Sequence, residues 1–327
     1  MSKNFLKKLQ NYIFQEKLLA QGDSVVIGIS GGSDSIGLAL ALNELRSKYD
    51  LKLQLVHINY HQRGEDSNQD EQFVQNFADK NKLSLRVLQY EEATIITGNL
   101  EERLRDFRYQ QFEAIRQELK FDKIAVAHIQ DDQAETLLMN LLRGSGLQGL
   151  TGIKVQRDFL IRPFLIFSKD EIKNFLKENQ QKFCLDKTNL KADFTRNSIR
   201  LELIPFLEEK YNPKIKENLG KLAVNLQTEN EINQFFIDKI YLDLVREEGN
   251  QLVLDISKFD KFLIGVWKRL FRKIIFNLKG DLKNISNNNF QEFKKIVDSE
   301  KSKTQTMQIG KIVLKKNEDC VIFSKVQ

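Results

Sequence analysis

A chain that contains Val25-Val-Ile-Gly-Ile-Ser-Gly-Gly-Ser-Asp-Ser35 has few folds open to it. Val25 to Ile29 is short, β-branched and interrupted by glycine, the pattern of a strand buried on both faces. Ser30-Gly31-Gly32-Ser33-Asp34-Ser35 follows, and then Ile36, Ala39, Leu40 and Leu42 recur at helical spacing. The adjacent glycines let the backbone turn tightly and come close to a ligand. The hydroxyls and the first amides of the new helix then converge on one spot. Such a helix start binds phosphate, because its amides lack intrahelical partners and carry the positive end of the dipole. A Walker-type loop needs Lys-Ser or Lys-Thr after its last glycine, and no lysine occurs between Ser24 and Lys48.

Ser-Gly-Gly-x-Asp-Ser instead resembles the PP-loop of ATP pyrophosphatases, which cleave ATP between the α and β phosphates. The resemblance implies that Ser30, Gly31, Gly32, Ser33, Asp34 and Ser35 hold ATP or its pyrophosphate. The bland alternative is a glycine-rich strand-to-helix turn capped by serines.

Strands and helices alternate onward from this unit. Leu51–Ile58 reads as a strand, Glu71–Asn81 as a helix, Leu83–Leu88 as a strand and Leu100–Leu119 as a helix. Lys123–Ala127 and Asp132–Leu142 repeat the pair, and Ser168-Lys-Asp-Glu171 is a capping box opening a helix to about Asn179. This alternation predicts an α/β fold, a Rossmann-like, mostly parallel sheet covered on both faces. Ligands of such sheets bind outside the carboxyl ends of the strands, so the motifs at Ser30, His57 and His128 should meet in one cleft. Past Pro213 the pattern changes to long Asn- and Lys-rich helical segments, with short strands only from Thr304. The expected division is therefore a catalytic domain over 1–212 and a smaller, mostly helical accessory domain over 213–327.

With 327 residues, 41% hydrophobic and 29% charged, the chain has room for both cores. No run approaches eighteen apolar residues, which predicts no membrane span. Met1–Leu9 mixes apolar residues with lysines, predicting an amphipathic first helix without a signal-peptide core. Cys184 and Cys320 lie far apart with no Cys-x-x-Cys, which suits a reducing cytoplasm and argues against a zinc or iron–sulfur site built within this chain. A net charge of +6 suits a polyanionic partner without specifying one.

The second informative stretch is Ala127-His128-Ile-Gln-Asp131-Asp132-Gln133-Ala-Glu135-Thr136, leading to Arg143-Gly144-Ser145-Gly146-Leu147. Asp132 and Glu135, three apart, share a helix face. Acidic residues favour helix starts because of the dipole, which accounts for one carboxylate more easily than for a cluster beside a strand-end histidine. A carboxylate pair at a cleft mouth suits a cationic amine.

His-x-x-Asp-Asp-Gln-x-Glu-Thr followed by Arg-Gly-Ser-Gly-x-x-Gly-Leu resembles the tRNA(Ile)-lysidine synthetase family. Further matches follow in order: His57-Ile-Asn59 through Arg63-Gly-Glu-Asp-Ser67; Gly98-Asn99-Leu100-Glu101 with Arg105 and Arg108-Tyr109; Arg162-Pro163; Asp186-x-Thr188-Asn189; and Arg196-Asn197-x-Ile199-Arg200. The resemblance covers about residues 20–210. It implies a cytoplasmic carbon–nitrogen ligase that transfers AMP from ATP to the wobble cytidine of tRNA(Ile) with a CAU anticodon. Free L-lysine then displaces the AMP, giving lysidine. It implies catalytic roles for Asp34, Asp132, Glu135 and His128, lysine binding by Asp132 and Glu135, and a Mg²⁺ held at Asp34. Arg105, Arg108, Arg196 and Arg200 are then candidates for phosphate or tRNA contacts. A homodimer is among the assemblies left open. The chain departs from the family at Ile129 and Tyr60, where histidines are common, and looks like the short type.

Each assignment has a plainer rival. Glu101 and Arg105 have the spacing of a helix-surface ion pair; Arg196 and Arg200 also suit a solvated face; His57 and His61 suit loop structure. Trp267 with Phe262, Phe271 and Phe276 is expected to be core. The nearest functional rivals are other PP-loop enzymes. Thiolating ones use cysteine pairs that this chain lacks, and amidating ones lack the Arg-Gly-Ser-Gly segment. A passive nucleotide- or RNA-binding module has no use for Asp34.

Overall fold

The computed structural model describes residues 2–61, 64–90, 100–184, 194–299 and 304–326. The expectations for Arg63, Gly98, Asn99, Asp186, Thr188 and Asn189 lie outside the described residues. The chain divides into two compact units, Met1–Gln227 and Thr228–Gln327.

The first unit is built on a sheet of order β3-β2-β1-β4-β6-β5, with strands β1 Ser24–Gly28, β2 Lys52–Asn59, β3 Ser84–Gln89, β4 Lys123–Ala125, β5 Gln156–Arg157 and β6 Leu160–Ile161. Every pairing is parallel except β5 with β6. In β1 alternate residues enter different cores, as a doubly covered strand requires. Val25 and Ile27 join a cluster with Leu9, Ile36 and Phe164, whereas Val26 joins Val56, Ile58, Phe112 and Val126. Helices α1 Ser2–Gln15, α2 Ser33–Glu44, α3 Glu65–Lys80, α4 Leu100–Leu119, α5 Gln130–Leu142 and α6 Lys169–Glu178 supply the covering layers. The capping box holds: the Glu171 amide donates to Ser168 Oγ at 3.2 Å and the Ser168 amide to Glu171 at 2.8 Å. In α1, Phe5 stacks on Phe167 and Phe175 with centroids 4.0 and 4.3 Å away.

A further helical run comprises α7 Phe194–Ser198, a π-helical turn Ile199–Leu203 and α8 Ile204–Lys210. The next helix, α9 Ile215–Leu244, explains why the division falls later than the expected Pro213. Leu219 and Ala223 of α9 pack with Ala134, Leu137, Ile199 and Ile204, so the start of this helix belongs to the first unit's core.

The second unit carries more sheet than expected. β7 Val245–Glu248, β8 Gln251–Asp255, β9 Gln305–Ile309, β10 Ile312–Asn317 and β11 Cys320–Lys325 form an antiparallel sheet of order β7-β8-β11-β10-β9. The β7–β8 hairpin turns at Gly249-Asn250, a turn signal embedded in the surrounding helical pattern. Helices α10 Ile264–Lys279 and α11 Asn287–Val297 cover the sheet. Trp267 and Phe271 are core as expected, with the Trp267 indole donating to the Phe259 carbonyl at 2.7 Å. Phe276 is not: it is half exposed, on the outer face of α10.

Candidate active site

The carboxyl ends of β1, β2 and β4 open onto one cleft of about 380 Å³. β1 ends at Gly28, where an added Cβ would lie 2.5 Å from the Phe112 ring, so only glycine lets α4 pack this closely. The chain then passes Gly31 at φ +91° and enters α2, with Gly32 as N-cap. Ser35 ties the turn together: its Oγ accepts from the Ser30 amide at 3.0 Å and donates to the Gly32 carbonyl at 3.1 Å. No side chain caps this helix end, so the first amides of α2 face the cleft as a phosphate cradle. His57 is buried with Nδ1 2.9 Å from the Ile29 carbonyl. It braces the loop from β2. His61 is held through its amide by Asn59 Oδ1 at 3.0 Å.

Asp34, in the first turn of α2, lines the cleft and receives the Lys169 ammonium on both oxygens at 2.8 Å. Sequence reasoning missed Lys169, which lies far along the chain at the first position of α6. The capping box was the one local signal, since it fixes where that residue sits.

The β4 end brings in the second motif. Asp132 accepts from the Ile129 amide at 2.9 Å, closing the start of α5. Burial raises the Asp132 pKa to about 6; Glu135 and Asp34 add to the rise, while the Ile129 amide and Arg196 oppose it. His128 Nδ1 accepts from Arg162 Nε at 3.3 Å, which places the ring proton on Nε2. Burial pushes the His128 pKa down to about 3, and Arg162, Arg105, Arg108 and Arg196 push the same way. His128 is thus a neutral hydrogen-bonding group and too weak a base for proton abstraction. Arg162, fully buried, also donates to the Lys154 carbonyl at 2.6 Å.

Glu135 departs most from expectation. It is 1% exposed, and both its oxygens are taken: Arg196 Nε at 2.9 Å, Arg200 Nε at 2.5 Å and Arg200 Nη2 at 2.9 Å. Arg196 and Arg200 line the cleft while holding this carboxylate, and reach Asp132 at 3.7 and 3.6 Å. The side chain expected to bind lysine thus has guanidinium groups on both its oxygens in this structure. Helical spacing could show that Arg196 and Arg200 share a face, but not what that face meets. Arg105 and Arg108 do line the cleft, beside Tyr60, Tyr109 and Phe112, with the Arg105 guanidinium 5.8 Å from the Tyr109 ring.

Among the described residues no group of three or more His, Cys, Asp or Glu side chains could hold a metal by itself. Asp34 and Asp132 share the cleft, and the Asp34 charge adds to the rise in the Asp132 pKa. Two carboxylates suit Mg²⁺ completed by phosphate oxygens and water.

A parallel, doubly covered sheet with a glycine-serine phosphate cradle at its carboxyl edge defines an α/β nucleotide-binding domain. The comparisons make this specific: a family profile for the PP-loop domain matches residues 1–207. The chain belongs to the PP-loop family. It is similar to curated proteins named tRNA(Ile)-lysidine synthase. The one from Clostridium perfringens is 33% identical over 94% of this chain and 66% of its own length. The one from Clostridium tetani is 33% identical over 84% and 59%, and that of Bacteroides thetaiotaomicron 34% over 79% and 60%. The chain thus spans about 59 to 66% of the length of these relatives. Among solved structures, U34-tRNA thiolase NcsA from Methanococcus maripaludis, with its [4Fe-4S] cluster, aligns with a TM-score of 0.56 at 20% identity. That alignment covers 69% of this chain and 80% of that one, a likeness of fold. No helix among the described residues is long and apolar enough to cross a membrane.

Proposed function

We propose that this chain is a tRNA(Ile)-lysidine synthetase that uses ATP to join L-lysine to C2 of the wobble cytidine. The observation that carries this reading is the meeting of two motifs in one cleft, the cradle at Ser30–Ser35 and the His128–Glu135 segment. The shared name of the curated relatives supports it. ATP lies with its β and γ phosphates on the amides at the start of α2. The C2 carbonyl oxygen of cytidine attacks the α phosphorus and pyrophosphate leaves. A lysine amine then attacks C2, forming the C–N bond while the C2–O bond breaks and AMP departs. An amide-like oxygen leaves poorly and AMP leaves well, which is why ATP is consumed. The change turns AUG reading into AUA reading and methionine charging into isoleucine charging.

The residues divide this work. Asp132, desolvated and without a full charge partner, attracts the lysine ammonium; Glu135 keeps Arg196 and Arg200 in place around it. His128 orients polar groups as a neutral donor at Nε2. Arg105 and Arg108 face phosphate or RNA backbone. Asp34 is the group that would hold Mg²⁺, which would supply charge compensation at the phosphates in nucleotidyl transfer. AMP release from unmodified tRNA(Ile), with lysine, ammonia or a sulfur donor offered in turn, tests the reading. AMP and lysidine formed only with lysine support it; turnover with ammonia or sulfur instead assigns the chain to another PP-loop activity.

A further inference from the structure

The phosphate cradle has no lysine of its own, since none occurs between Ser24 and Lys48. The fold brings one to it. We infer that Lys169 is the polyphosphate-binding lysine of this site, parked on Asp34 in the ligand-free chain and transferred to the β and γ phosphates when ATP binds. The inference rests on the proposed ATP site and assigns it a residue from outside the phosphate loop.

Three observations carry it. The Lys169 ammonium sits symmetrically on Asp34, 2.8 Å from each oxygen, beside the first amides of α2. Its backbone is anchored independently of its head. The Lys169 amide donates to Asp131 Oδ2 at 3.1 Å, and the reciprocal Ser168–Glu171 cap fixes the start of α6. The side chain itself keeps 39% exposure while its ammonium pairs with Asp34. A four-carbon stem on a fixed base can move its charge several ångströms at little cost. Any cation that arrives at Asp34 with the nucleotide repels the ammonium and releases it toward the phosphates. A structural ion pair this exposed would contribute little to folding, so stability alone gives weak reason for Lys169 to be here.

The test uses the full chain and measures binding rather than turnover. Lys169→Met removes the charge and keeps most of the stem; Lys169→Arg keeps the charge. Mg²⁺-ATP, pyrophosphate and AMP are titrated into wild type and both variants by calorimetry. Loss of a charge-assisted contact should weaken ATP and pyrophosphate roughly ten- to hundred-fold in Lys169→Met. AMP, which lacks the β and γ phosphates, should bind as in wild type, and Lys169→Arg should recover most of the loss. Tm should move by no more than about 3 °C. Unchanged pyrophosphate and ATP affinity in Lys169→Met overturns the inference, and so does an equal loss for AMP. If the wild type itself binds neither ATP nor pyrophosphate, the proposed function fails and the inference with it. Tight ATP binding without lysidine formation overturns only the choice of substrate and leaves the Lys169 result standing.

Discussion

Replacing Glu135 by Gln separates a lysine-binding carboxylate from an internal counter-ion. The carboxylate is 1% exposed and takes three donors, one from Arg196 and two from Arg200. Glutamine keeps the shape but offers one oxygen and turns an NH₂ toward guanidinium donors. Breaking a fully buried pair costs about 3–5 kcal/mol. Here the arginines are 27% and 36% exposed and can rehydrate, and Asp132 at 3.7 and 3.6 Å takes up part of their charge. The expected loss is therefore roughly 2–3 kcal/mol, or a fall of about 4–12 °C in the melting of a unit this size. Thermal unfolding by circular dichroism measures it. Tm, adenylation of tRNA without lysine, and lysine transfer should all fall together. A variant with unchanged Tm and normal adenylation, but a raised KM for lysine, would refute the argument and return Glu135 to the lysine site.

Other changes test neighbouring parts of the site. The Asp132 carboxyl carries a folded pKa of about 6, above the usual value near 4, so its ionisation opposes folding as pH rises through that window. Asp132→Asn should therefore stabilise the chain by up to about 2–3 kcal/mol at pH 8, a gain that disappears below about pH 4. It should also raise the KM for lysine; a variant less stable than wild type at pH 8 would contradict the burial argument. For His128 the folded pKa of about 3 lies below the unfolded one, so its contribution to stability is present above about pH 6.5 and lost as pH falls toward 3. Nitrogen NMR should show its ring neutral at pH 5, and a titration midpoint above 5.5 would rule the assignment out. Gly28→Ala places a methyl against the Phe112 ring at 2.5 Å and should cost about 1–3 kcal/mol. Most of that loss should return in Gly28→Ala/Phe112→Leu, and purely additive losses in urea unfolding would show that the ring is not the obstacle.

What could be read from the residues alone is what local rules decide. β1 and its turn into α2 were legible because a β-branched run, paired glycines and a helical period follow one another within a few residues. The start of α6 was legible because Ser168 and Glu171 cap each other across three positions, and α4 because its period is unbroken from Leu100 to Leu119. The meeting of Ser30 and His128 in one cleft followed from parallel topology, since both sit at carboxyl ends of strands, whereas His57, on the neighbouring strand, is buried against the Ile29 carbonyl. The partners of the charged groups did not follow. Lys169 reaches Asp34, and Arg196 and Arg200 reach Glu135, across chain separations at which no periodicity carries information. Whether a carboxylate meets solvent, substrate or a guanidinium depends on how whole helices pack. The start of α9, assigned by sequence to the accessory domain, joins the first unit for the same reason: Leu219 and Ala223 are apolar wherever they lie, and only packing against α5 decides which core they fill.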